Sequence, residues 1–395
     1  MPDPAPSAPV HDAYFTALSA ALHRAGLAEP VLVIDQTRLN TNMRAVADTL
    51  GNGPAVRLVV KSLPCAALLR HLAEGLGTDR YMVFNRATLQ EMRILVPQAD
   101  ILLGKPLPVA AAAAYYDAVG TDGRQPQWLI DTPERLAQYA ALARTLGLTL
   151  RANIEIDVGL HRGGVANPAM LAGMLDGRDP LVTITGLMGY DPHVAKMPTA
   201  FGLRRRAQAT SRHQYATMAA LLRARMGDAP LTLNSAGSPT YALHADDSPA
   251  NEVAIGSAFV KPSDFDLDTL THHQPACFIA TPVLKVSHPA TPPGLDRLAA
   301  PLARLRPGTA QAHFIHGGHW LANPVSPSGL RPSALFGPSS NQECWLGPHR
   351  PDLGPDDWIF MRPRQSEAVL LQFGPLALYD GREIIGAWPV FPVSA

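Results

Sequence analysis

The sequence predicts an α/β protein: a closed (β/α)8 barrel followed by a C-terminal antiparallel β domain. Three observations carry this. Short apolar runs alternate with helical stretches from residue 31 to residue 257. The 395 residues exceed one ordinary domain. Near residue 265 the pattern changes, and Pro, Gly and short alternating runs replace the helices.

Taken in order, an amphipathic stretch at 13–26 opens the chain after a Pro/Ala-rich lead-in. Strands are expected at VLVID (31–35), VRLVVK (56–61), RYMVF (80–84), DILLG (100–104), QWLID (127–131), LRANIEID (150–157), LVTITGLMGYD (181–191), LTLNSAG (231–237) and NEVAIGS (251–257). Ala/Leu-rich segments of helical period, such as 133–147 and 204–227, lie between most of them. Eight or nine such units suit a barrel of roughly 250 residues, with an open doubly wound sheet as the alternative. The expected division is a barrel at 28–264 and a β domain at 265–395 that takes in part of 1–27. No internal repeat is present.

Thirty-three basic residues balance 33 acidic ones with no block of one sign, which argues against nucleic-acid and membrane-surface partners. No apolar run is long enough to span a bilayer, and the N-terminus lacks the pattern of a signal peptide. Three cysteines (65, 277, 344) without CxxC spacing argue against a disulfide framework or zinc ribbon. A small-molecule partner and a cytoplasmic location are expected.

Catalytic groups of a barrel gather at the C-terminal ends of its strands. Only five lysines (61, 105, 196, 261, 285) occur among the 33 basic residues, and Lys61 ends the second run. An amine there suits Schiff-base chemistry with an aldehyde cofactor; the plainer reading is a solvated strand-end lysine. EIDVGLHRGGV (155–165) sets Glu155 and Asp157 two apart, hence on one face of a strand, before a Gly-rich turn with His161 and Arg162. Tyr190 and His193 follow the seventh run, where a histidine can serve as general base. NSAGSPTY (234–241) and AIGSAF (254–259) place Gly237, Ser238, Thr240, Gly256 and Ser257 after the late strands, where barrels often bind phosphate. In the β domain, His313, His316 and His319 have a spacing that suits a metal on a helix, but Gly317 and Gly318 argue against a helix. Gln365 and Glu367 share a face if their segment is a strand.

Together these motifs resemble the D-threonine aldolase and D-serine dehydratase branch of the alanine racemase-like (fold type III) pyridoxal-phosphate enzymes, well over 30–260 and loosely beyond. The family's Arg-Pro-His-x-Lys is similar to Arg57-Leu58-Val59-Val60-Lys61. Its Asp-x-Gly-x-x-Arg-x-Gly is similar to the run from Asp157 to Gly164, and its Gly-x-x-Tyr-x-x-His to the Tyr190 and His193 stretch. The resemblance implies a pyridoxal 5'-phosphate internal aldimine on Lys61, with Ser238, Thr240, Gly256 and Ser257 around the phosphate and Arg162 near the cofactor ring. It implies His193 as the base that takes the β-hydroxyl proton, and a head-to-tail homodimer.

The departures lie at Val59, where the family has histidine, and at Ser62-Leu63-Pro64, in place of its Thr-His-Lys. The family's late His-x-Asp or His-x-Cys metal pair corresponds to Gln365 and Glu367, which offer oxygen ligands for Mg²⁺, Mn²⁺ or Ca²⁺ rather than a zinc site. A site without metal is the alternative. The function expected is a pyridoxal-phosphate-dependent lyase acting on a D-configured β-hydroxy amino acid by retro-aldol cleavage or dehydration. The rival in the same cofactor class is an amino-acid racemase with Lys61 opposed by His193 or His319. Rivals of other classes are a non-enzymatic cofactor carrier and a cofactor-free hydrolase using Glu155 and Asp157.

Overall fold

A computed structural model describes residues 10–291, 294, 296–350 and 352–393. The chain divides into two compact units, Thr41–Phe259 with Phe265–His273 and Phe391–Ala395, and Met1–Asn40 with Val260–Asp264 and Gln274–Val390. The first apolar run, β1 (Val31–Asp35), belongs to the second unit. It therefore adds no stave to the barrel, and the expected limits of 28–264 and 265–395 shift accordingly.

The barrel closes from β2 (Ala55–Val59), β3 (Arg80–Val83), β4 (Asp100–Leu103), β5 (Gln127–Ile130), β6 (Leu150–Glu155), β7 (Val182–Gly189), β8 (Thr232–Ser235) and β9 (Glu252–Ile255). Every neighbouring pair is parallel, and β9 returns to β2 with Arg57 opposite Ala254. Several helices start where a short polar side chain accepts from the backbone one turn on: Asn85 from Thr88, Thr132 from Arg135 and Asn167 from Met170. Pro133 and Pro168 occupy the first helical turn, where a missing N–H costs no bond.

All eight staves contribute to a polar network about one guanidinium. The Arg57 side chain, fully buried, pairs through Nε with Glu252 Oε1 at 2.5 Å and through Nη2 with Glu252 Oε2 at 2.9 Å and Asp100 Oδ2 at 3.1 Å. Its Nη1 donates to the Tyr81 carbonyl at 3.0 Å and the Asp100 carbonyl at 2.7 Å. Gln127 donates to Asp100 Oδ1 and accepts from Asn153 and Thr185, each at 2.8 Å, and Asn234 donates to Glu252 at 2.9 Å. Burial alone would raise the Asp100 carboxyl, but Arg57 and Gln127 hold it below the usual carboxylate range.

The other unit is a nine-stranded sheet. Its path runs β13 (Arg331–Pro332), β14 (Cys344–Gly347), β11 (Gln311–Ile315), β10 (Cys277–Ser287), β1, β16 (Leu376–Tyr379) and β17 (Ile384–Trp388). β12 (Ala322–Ser326) pairs with β15 (Trp358–Pro363), which also joins β10. The expected antiparallel character holds except between β1 and β16, which run parallel. Helix also persists past residue 265, at Ala299–Leu305. The core forms where helix Ala13–Arg24 presents Phe15 to Phe360, centroids 4.8 Å apart, and to Phe278 at 5.2 Å. No helix among the described residues is long and apolar enough to cross a membrane.

His313 lies on β11 and His316 and His319 in the loop beyond it, so the three do not share a helix face. His313 is fully buried, with neither ring nitrogen hydrogen-bonded. Burial, helped by Arg350, pushes its pKa down to about 4.

Two predictions follow from these buried groups. Arg57→Ala removes the one fully buried counter-ion of Glu252 and Asp100, leaving Glu252 only the more exposed Arg80 and Asp100 only Arg124 and Arg151, and should cost about 3–5 kcal/mol in urea unfolding; a loss under about 1 kcal/mol would refute the network's role. For His313, the unfolded chain takes up a proton near pH 6.5 and the folded one only near 4, so stability falls as pH drops through that window, by on the order of 3 kcal/mol in all. His313→Leu should flatten that part of the stability–pH curve, and an unchanged slope would contradict it.

Candidate active site at the barrel mouth

β2 ends at Val59, and a single 3-10 turn, Val60–Ser62, carries Lys61 just beyond the strand end. Lys61 is exposed, with Nζ 4.5 Å from the Phe84 ring centroid. Because β9 is the neighbour of β2, the loop after β9 comes against this turn. A Cβ on Gly256 would lie 2.8 Å from the Ser62 Cβ and 2.9 Å from the Val59 Cβ, so only glycine permits the approach. Ser238, after β8, accepts at Oγ from the Gly256 N–H at 3.0 Å and the Ala258 N–H at 3.1 Å. Thr240 donates to Asp191 Oδ1 at 2.6 Å and accepts from the Gly237 N–H at 3.3 Å. Lys61, Ser238, Thr240, Gly256 and buried Ser257 are thus brought to neighbouring strand ends. The two hydroxyls serve first to tie the loops together.

The loop after β6 is pinched shut by an isolated bridge between Ile156 and Val165. Asp157 does not share the role of Glu155. Its Oδ1 accepts from the Gly159 N–H at 2.9 Å and the His161 N–H at 3.0 Å, and its Oδ2 meets His161 Nδ1 at 2.8 Å. Burial opposes ionisation of Asp157, but these bonds hold its carboxyl low. Glu155 behaves oppositely: burial pushes its pKa up, against the pull of Arg162. Asp131, at the end of β5, adds negative charge beside Glu155 and keeps Oδ1 buried without a partner. No sequence motif marks Asp131, although it closes the QWLID run much as Glu155 ends its own strand.

Arg162 is exposed, its guanidinium carbon 5.0 Å from the Tyr190 ring centroid. The same ring lies close over Gly237, where a Cβ would come within 2.4 Å of Tyr190 Cε2. His193 sits in the short helix Pro192–Lys196. Its Nδ1 is buried without a hydrogen bond, and its Nε2 lies 3.2 Å from where a Cβ of Gly159 would begin. Gln214 Oε1, likewise buried and unpartnered, is 3.7 Å from that point. Asp191 and Gln214 are further residues here that no motif in the sequence signalled.

Gln365 and Glu367 lie beyond the end of β15 in a bend and turn, so strand alternation does not place them on one face. Gln365 donates to Asp264 Oδ2 at 3.1 Å, Arg364 to Asp264 Oδ1 at 3.1 Å, and Ser366 to Glu367 at 3.3 Å. Among the described residues no group of three or more His, Cys, Asp or Glu is arranged to hold a metal ion.

Comparison with known proteins gives three kinds of match. The family model for the alanine racemase N-terminal domain matches residues 34–264. An alanine racemase from Methylobacterium sp. (strain 4-46) is 27% identical over 147 residues, which cover 34% of this chain and 38% of that protein. Among solved structures, D-threonine aldolase from Filomicrobium marinum superposes with a TM-score of 0.72 at 17% identity, covering 92% of this chain and 96% of the other. D-threo-3-hydroxyaspartate dehydratase from Delftia sp. HT23 gives a TM-score of 0.70 at 17% identity, covering 92% and 98%.

The contact between the two strand-end loops is directly testable. Gly256→Ala forces a methyl into the Val59 and Ser62 carbons and should cost about 1–3 kcal/mol by overpacking. Thermal and urea unfolding would measure it, and a variant as stable as the parent would contradict the contact.

Proposed function

The chain belongs to the alanine racemase N-terminal domain family, and on that footing we propose that it is a pyridoxal-phosphate-dependent lyase acting on a D-configured β-hydroxy amino acid, with Lys61 as the cofactor lysine. The observation that carries this reading is the abutment of the Lys61 turn and the Gly256 loop, the latter tied to the loop after β8 by Ser238. The residues present fit a phosphate-bearing aldehyde. An amine stands just past the end of β2, and Gly237 and Gly256 let backbone come close where a side chain would collide. His193 Nδ1 and Asp131 Oδ1 are buried polar atoms that still lack partners.

When bound, pyridoxal phosphate would supply the electron sink that lets a bond at the substrate Cα break. The chain supplies position and proton traffic. Lys61 offers its amine at the mouth, and the loops 237–240 and 256–259 hold backbone and hydroxyl groups for the phosphate. Arg162, over Tyr190, offers a cation to a carboxylate or a ring oxygen. His193 would take the β-hydroxyl proton at Nε2; as the Cα–Cβ bond breaks an aldehyde leaves, and a proton delivered to Cα from His193 or Lys61 completes glycine. Asp157 is occupied by the 159–161 turn, which disfavours a hydrolase built on Glu155 and Asp157. The donor set at Gln365 and Glu367 does not fit a divalent cation, since Arg364 already neutralises the nearby Asp264, and no step is assigned to a metal.

Racemisation is the second reading, supported by the alanine racemase from Methylobacterium and by an amine and an imidazole at one mouth. Reconstituted protein should absorb at about 410–430 nm, and Lys61→Ala should lose that band. D-threonine or D-phenylserine should yield glycine and an aldehyde, with turnover unchanged by EDTA. His193→Ala should keep the band but cut cleavage by about 10²–10⁴-fold. Solvent deuterium at Cα with inversion and no aldehyde would replace the lyase with a racemase.

A further inference from the structure

Asp191 stands between Tyr190 and His193 in sequence, and its carboxylate engages the segment after β8. It is 3% exposed, and each oxygen is committed to the excursion after β8. Oδ1 accepts from Thr240 Oγ1 at 2.6 Å, and Oδ2 meets His244 Nε2 at 2.8 Å. His244, itself 4% exposed, is steadied on its far side by Ser248 Oγ at 3.0 Å from Nδ1. Thr240 is fully buried; it takes the Gly237 N–H on its hydroxyl and returns its own N–H to the Gly237 carbonyl at 2.9 Å.

A buried carboxylate costs free energy unless its lone pairs are filled, and here one loop fills them. Burial opposes the charge, but His244 first, then Thr240 and His193, hold the carboxyl low, so the group stays an anion. The same residue's backbone carbonyl accepts from the Val194 N–H at 3.0 Å and so starts the short helix that carries His193.

We propose that Asp191 is a positioning residue that locks the 237–240 turn, the phosphate seat, to the loop bearing Tyr190 and His193. The seat and the base then share one mechanical reference. This rests on the reading that pyridoxal phosphate binds at Lys61. Loss of the carboxylate frees the Thr240 hydroxyl and slackens the turn, so recognition of the phosphate suffers more than recognition of the aldehyde.

The experiment compares dissociation constants of the full chain for pyridoxal phosphate and for pyridoxal, read from the visible band. Asp191→Ala should weaken pyridoxal phosphate by about tenfold or more, the worth of one charge-assisted hydrogen bond, and pyridoxal by under about threefold. Asp191→Asn keeps an acceptor for Thr240 and a partner for His244, and should restore the phosphorylated ligand to within about threefold. Equal weakening of both ligands, or none, in a folded Asp191→Ala protein overturns the proposal. Should that variant not fold, His244→Ala and His244→Gln, which act on the Asp191 carboxylate from outside the seat, carry the test: selective loss of the phosphorylated ligand in the first and recovery in the second support it, and parental affinity in His244→Ala overturns it. A wild-type chain with no visible band sinks the cofactor reading itself. A band with an unchanged affinity ratio sinks only the role of Asp191.

Discussion

The buried pair between Arg57 and Glu252 sits at the seam where the barrel closes, and the mouth depends on it. These residues lie on β2 and β9, strands nearly two hundred positions apart in sequence yet neighbours in space. A parallel seam has no tight turn to set its register, so something else has to. Here a guanidinium with both nitrogen edges engaged cannot slide along its carboxylate partner without leaving a charge unpaired in the barrel interior. Four residues above Arg57 stands Lys61, and four above Glu252 stands Gly256. Fixing that pair therefore fixes the strand ends above it, where Gly256 packs closely against Val59 and Ser62, the residues that flank the lysine.

The acids at the mouth divide by what fills their oxygens. Asp157 is consumed by backbone N–H groups and His161, and Asp191 by Thr240 and His244; both are held ionised against the cost of burial. Glu155 gains no such set and is pushed toward its neutral form beside Asp131. Two of these carboxylates shape loops, and the others remain available to whatever enters the mouth. Sequence spacing alone makes Glu155 and Asp157 look equivalent, and hydrogen bonding separates them.

The staves were readable to within a few residues because each is a short apolar run between helical segments with clear start signals. The run at 31–35 carries the same signal and yet joins the other sheet. A strand buried on both faces looks alike in either setting, and the partners that decide the matter, Cys277–Ala280 and Leu376–Tyr379, lie far down the chain. The positions of Lys61, the Asp157–Gly164 turn and the two glycine loops at strand ends were legible because glycine and lysine are informative there. Asp191 was not, since an acid before proline at a helix start ordinarily reads as a cap. Likewise, nothing local distinguishes Arg57 from a surface arginine; only closure of the barrel surrounds it with acids from other strands.

The placement of β1 bears on how the polypeptide is made. Roughly 240 residues separate Ile34 from its antiparallel partner Cys277, and Leu376, the parallel partner of Leu32, follows later still. At a ribosome moving about 5–20 residues per second, an apolar strand emerges early and waits on the order of tens of seconds for its mates. Meanwhile the whole barrel segment is translated and can collapse by itself. The nascent chain thus carries an unpaired apolar strand through most of its synthesis.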